Sequence, residues 1–263
     1  MPVALSSYLR SGLSSVKQLL IPKRLAASGV SNGVAEYGRV NGMVFPILMF
    51  PQALLSAVAS LIVPEITEKH TLGQRQSLRN ILSKIFQITL LFSVAVAGIL
   101  FRFCEKLCVF FYGNTDTALF LKLLSPLVII MYLDDIVDAI LKGINCQVTV
   151  VRINILDSAM GIVLLWWLLP IYGIRGYLTV IAVGEILNGT LSIITLIRHT
   201  DCDFGFFKNI VFPGFFILIS TRCAEVLCFD SLWGAVGMSV LIYLSILFAT
   251  GILKYDNFSC VLK

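Results

Sequence analysis

Charge is scarce in this chain. Of its 263 residues only 13% are Asp, Glu, Lys or Arg, about half the share in an ordinary soluble domain. Histidine occurs twice, as His70 and His199, and the seven cysteines form no C-x-x-C pair. This argues against a zinc site or a disulfide framework and leaves small buried thiols as the reading of Cys104, Cys108 and their fellows. No basic cluster is interleaved with aromatics, so the net charge of +5 does not point to nucleic acid. No basic segment precedes an apolar core at the N-terminus, and Arg10 and Lys17 interrupt what would be that core, so no secretory signal is legible. Long polar connections are missing too, as is any clustered His/Asp or diphosphate–metal carboxylate motif. A membrane transferase therefore has nowhere to place its chemistry, and nothing asks for a cofactor or a metal.

What remains is apolar. Hydrophobic residues make up 58% of the chain and the mean hydropathy is +0.92. Several runs of about 18 or more residues carry almost no charge, the mark of membrane helices. The reading is an all-α, polytopic helical bundle of about eight transmembrane helices in the cell membrane. The first runs from Pro2 to Pro22, the second from about Gly42 to Val63 with Pro64 ending it, and the third from about Ile81 to Phe103. A short linker then leads to the fourth, about Thr117 to Gly143. The fifth (about Val150 to Leu169) and sixth (about Gly176 to Ile197) close a six-helix unit over 1–200. Two further helices, about Asn209 to Cys228 and Leu232 to Ile252, and a short tail make up 201–263. Lys69, Arg75, Arg79, Lys84 and Lys142 outweigh the basic residues of the opposite loops, which favours both chain ends in the cytoplasm.

The first helix is two-faced. At about 100° per residue, Ser6, Ser7, Arg10, Ser11, Ser14, Lys17 and Gln18 share one half, while Leu5, Leu9, Leu13, Val16 and Leu20 share the other. Two cations cannot point at hydrocarbon without a cost of about 2.5–3.5 kcal/mol each. If the helix spans, its polar half faces a wet cavity or other helices; if it lies flat on the bilayer surface, the same pattern serves.

Four other polar groups lie inside apolar runs. In MYLDDIVDAILKG, Asp134, Asp138 and Lys142 follow one helical line beside Asp135. They read either as a solvated helix end closed by an Asp138–Lys142 pair or as a gate or proton-responsive carboxylate group. Asp157 lies about two turns into the fifth helix and needs a partner, for which Lys142 and Arg152 are candidates. Glu185, with Asn188 one turn on, sits near the middle of the sixth, where a carboxylate marks either function or a small-residue packing face. Arg222 and Glu225 are spaced to neutralise each other. Trp166, Trp167 and Tyr172 mark an interface belt.

The stretches PVALSSYLRSGLSSVKQLLIPKRL, GMVFPILMFPQALLSAVASLIVPEITE, LLSPLVIIMYLDDIVDAILKGINCQ, RINILDSAMGIVLLWWLLPIYGIRGYL and EILNGTLSI resemble the oligosaccharidyl-lipid flippase superfamily, which includes polysaccharide exporters and multidrug-and-toxin extruders. The resemblance covers about residues 2 to 200. It implies the second lobe of a two-lobe transporter plus its final helix pair, with the first lobe supplied by another chain, a second copy or a longer product. It further implies a lipid-linked saccharide as substrate, a peptidoglycan precursor destined for spore cortex or wall, with membrane lipid as the other partner. Arg10 and Lys17 would then grip a diphosphate, and Ser7, Ser11, Ser14 and Gln18 would bond sugar hydroxyls. Glu185, Asn188, Asp157, Asp134, Asp138 and Lys142 would couple or gate. An ion-coupled exporter of cationic drugs on the same fold is the nearest alternative, followed by an inactive fragment or partner subunit.

Overall fold

The computed structural model describes residues 2–27, 32–200, 206–227 and 231–251, without the side chains of 2–7, 9, 10, 27 and 206–209. Among these residues every regular element is helical. Helix α1 spans Pro2–Ala27, α2 Gly33–Arg39 and α3 Phe45–Thr71; a π-turn at Val40–Val44 fuses the last two into one rod. Helices α4 (Arg75–Arg102) and α5 (Cys104–Tyr112) follow. Then come α6 (Ala118–Leu124), a 3₁₀ turn at Ser125–Leu127 and α7 (Val128–Gly143), with α8 (Gln147–Tyr172), α9 (Ile174–Thr200), α10 (Phe206–Leu227) and α11 (Leu232–Ala249) completing the order.

Six of the rods are long and apolar enough to cross a membrane: Gly33–Thr71, Arg75–Arg102, Gln147–Tyr172, Ile174–Thr200, Ile210–Leu227 and Leu232–Ala249. Two more pack lengthwise among them, α1 with its polar side and the composite α6–α7. Large apolar side chains face outward, Phe50 and Leu61 at 80% exposure and Trp167 at 71%. Water would not tolerate that surface, and lipid requires it.

Three expected boundaries move. Pro22 does not end α1, and Pro64 does not end α3, which runs seven residues further. A proline removes one ladder bond, and around Pro64 packing makes up the loss: Ile62 and Ile66 are buried and the Thr67 hydroxyl donates to the Gly143 carbonyl at 2.9 Å. The short linker after the third span contains a helix of its own, α5. Its Cys104 and Cys108 are buried thiols, both pushed up from their ordinary value by burial.

Side-chain contacts give the direction of each packing. Lys17 meets Asp157 and Arg24 lies over Trp166, so α1 and α8 run parallel. Tyr132 bonds the Leu48 carbonyl and Ser56 bonds Asp135, so α3 and α7 run parallel. Gly98 abuts Ile217 and Arg102 pairs with Glu225, so α4 and α10 run parallel. A chain crossing a bilayer at every span must show this parity between spans separated by an odd number of others. All three pairs do, α1 included, so α1 stands beside α8 as a member of the bundle.

The core centres on α7, whose Tyr132, Leu133, Ile136, Val137, Ile140 and Leu141 are all at most 2% exposed. The α8–α9 hairpin closes tightly at Gly176, where a Cβ would sit 2.6 Å from the Leu168 carbonyl oxygen. Gly176→Ala must shift backbone and is expected to cost about 1–3 kcal/mol. Gly12→Ala, inside α1 with nothing within 4 Å of the new carbon, is expected to be neutral to stabilising by up to about 1 kcal/mol. Thermal unfolding of the detergent-solubilised proteins compares the two.

Candidate functional site: a polar cavity between α1, the α2–α3 rod, α8 and α9

Inside this apolar bundle lies an open cavity of about 750 Å³. Ser14, Lys17, Gln18 and Ile21 of α1 line one wall at helical spacing, Tyr37, Asn41, Phe45 and Met49 of the α2–α3 rod line another, and Asp157, Tyr177, Gly184 and Glu185 of α8 and α9 close the rest. Ser14, Lys17 and Gln18 thus face the cavity as the helical wheel requires. Ser11 is exposed on the same helix. The side chains of Ser7 and Arg10 lie outside the described residues.

Lys17 does not stand as a free cation. Its Nζ is 3.9 Å from Asp157 Oδ2, and it fits because position 161 is glycine: a Cβ there would lie 2.7 Å from Nζ. The partner of Asp157 is therefore Lys17, not Lys142 or Arg152. The other Asp157 oxygen is buried without a hydrogen bond. Glu185 feels the charges of Asp134, Asp157 and Lys17. Among the described charged residues lining the cavity, two carboxylates face one ammonium.

The acids of α7 are not a solvated helix end. Asp134 and Asp138 are each only 9% exposed. Asn188 of α9 donates to Asp134 at 2.6 Å, Asn154 of α8 donates to Asp138 at 3.3 Å, and Ser56 of α3 donates to Asp135 at 2.6 Å. One helix thereby ties three others through neutral donors, and Lys142 has an exposed side chain at the helix end. Asn154 and Ser56 were not singled out in the sequence, although an Asn three residues before Asp157 is a polar flag of the same kind. Glu225 pairs with Arg102 of α4 instead of Arg222, which staples α10 to the bundle. Among the described residues no three His, Cys, Asp or Glu side chains gather closely enough to ligate one metal ion.

The helical rods, the lipid-facing apolar surface and the open polar cavity define a multi-pass membrane protein of the helical-bundle class. Within that class the chain is a relative of stage V sporulation protein B of Bacillus subtilis (strain 168), with 23% identity over 254 residues, covering 91% of this chain and 48% of that protein. It is also similar to sporulation protein YkvU of the same organism, 25% identical over 116 residues, covering 43% of this chain and 26% of that protein. The chain thus spans about half the length of the first relative. No family model and no solved structure matches it.

Cysteine placed at Ser14 or Gln18 is expected to react with a membrane-impermeant maleimide, whereas cysteine at Leu82, 0% exposed, is not. Cysteine at Leu61 is exposed but faces hydrocarbon and is expected to react only with a lipid-soluble reagent. Labelling in native membranes reads all four.

Proposed function

We propose that this chain forms one lobe of a membrane transporter that carries a lipid-linked saccharide, of the peptidoglycan-precursor kind, across the cell membrane during spore cortex or wall formation. The similarity to stage V sporulation protein B along nearly the whole chain carries the reading. The cavity supports it, because a saccharide diphosphate needs a wet polar passage while its hydrocarbon tail stays in lipid. The remaining wall of the passage comes from the other lobe, on a further chain, a second copy or the rest of a longer product. The work is movement, with no covalent step.

Lys17 gives the movement a lever. At 3.9 Å its pairing with Asp157 is looser than a charge-assisted hydrogen bond of about 2.7–2.9 Å. The ammonium has three donors to offer. A diphosphate entering the cavity draws Lys17 away, leaving Asp157 beside Glu185. Two neighbouring carboxylates stripped of their cation must take up a proton or a metal cation, which ties substrate entry to ion uptake. The excess of carboxylate over ammonium in the described lining favours a second reading, an ion-coupled exporter of cationic compounds on the same fold.

Lys17→Gln is expected to abolish rescue of a spore-wall defect in a host lacking stage V sporulation protein B, at unchanged membrane abundance. Glu185→Gln is expected to retain binding of a lipid diphosphate and to change the ion dependence of its transport. Export of a cationic dye that depends on Glu185, with no spore rescue by the unaltered protein, selects the second reading.

A further inference from the structure

The two ends of the cavity differ in chemistry. One end holds Lys17, Asp157 and Glu185. The other holds two tyrosines and an amide. Tyr37 and Tyr177 meet edge to face with ring centroids 5.1 Å apart, and the Tyr177 hydroxyl donates to Asn41 Oδ1 at 3.3 Å. Tyr37 also interacts with the Asn41 side chain, so one exposed amide meets both phenols at the cavity wall. Glu185 and Tyr177 lie eight residues apart on α9, about 12 Å at 1.5 Å per residue. That separation suits an anionic group at one end and a sugar ring at the other.

The backbone at this end is also unusual. Asn41 sits in the π-turn Val40–Val44, a distortion frequent at functional sites. Pro46 follows within a turn and has no N–H, so a carbonyl one turn back loses its helical partner. Gly42 stands in open space, with nothing within 4 Å of where a Cβ would be, so the main chain next to Asn41 is uncovered. Aromatic rings for C–H faces, with an amide and a carbonyl for hydroxyls, are what a saccharide needs. They lie at the end that the Lys/Arg asymmetry assigns to the outer side.

We propose that Tyr37, Asn41 and Tyr177 form a saccharide subsite at the outer end of the cavity, which holds the sugar of a lipid-linked substrate about 12 Å from the Lys17–Asp157–Glu185 end. This rests on the transporter reading above and names the part of the chain that recognises the sugar. Tyr177 is 6% exposed and holds the other two in place; Asn41 and Tyr37 make the contacts.

The test uses the full 263-residue chain in nanodiscs with two probes, undecaprenyl diphosphate and undecaprenyl diphosphate bearing N-acetylglucosamine. The sugar-bearing lipid is expected to bind about tenfold more tightly, the equivalent of one to two hydrogen bonds. Asn41→Ala and, independently, Tyr37→Ala are expected to erase most of that preference while leaving the sugarless lipid unaffected. Equal binding of both lipids to the unaltered chain, or a preference that survives both substitutions, overturns the subsite and leaves the transporter reading standing. Binding of neither lipid, by this chain alone and by it joined to the lobe that completes the passage, overturns both.

Discussion

Hydrocarbon offers no hydrogen bonds, and this condition governs the molecule. Each polar side chain inside the bilayer must find a partner within the protein: hydroxyls such as Ser158 and Ser239 bond the preceding turn of their own helix, while the carboxylates reach across to others and act as the fasteners of the bundle. Asp134, Asp135 and Asp138 show it most plainly. On one helix they would repel one another, yet each reaches a neutral donor on a different neighbour, Asn188, Ser56 and Asn154. Lys17 with Asp157 and Arg102 with Glu225 do the same with charge. Apolar packing alone gives little preference for one helix partner over another in lipid; these pairs supply the preference.

The same condition leaves both kinds of polar group short of partners. Asp134 spends one oxygen on Asn188 and keeps the other buried without a hydrogen bond. In the cavity Asp157 likewise retains a buried oxygen without a hydrogen bond, and the Lys17 contact is long. Groups left short of partners in a low-dielectric setting respond most to an arriving ligand or ion. What divides site from fastener is access: Lys17, Asp157 and Glu185 line the open cavity, whereas the acids of α7 are not among the lining residues.

The helices were readable because the apolar runs are long and the wheel of the first span is two-sided. The wall formed by Ser14, Lys17 and Gln18 follows from that wheel directly. Pro64 misled because a proline costs one bond locally while Thr67 and Ile66 hold the helix through contacts a sequence does not display. The Asp138–Lys142 pair was plausible at one-turn spacing, but helix spacing describes only neighbours on the same helix. Asn154 and Ser56 lie on other helices, and in lipid a donor there competes successfully. Tyr37, Asn41 and Tyr177 escaped notice for the same reason, since their meeting depends on two rods and on a π-turn that no residue type announces.

The parallel pairing of α1 with α8 has a consequence for synthesis. Asp157 emerges from the ribosome about 140 residues after Lys17. At about 5–20 residues per second the first helix waits roughly seven to thirty seconds for its counter-ion. During that interval Lys17 lacks the carboxylate that it meets in the folded bundle. The α2–α3 rod, which lines the same cavity, emerges first, and the ion pair closes only when the fifth span arrives.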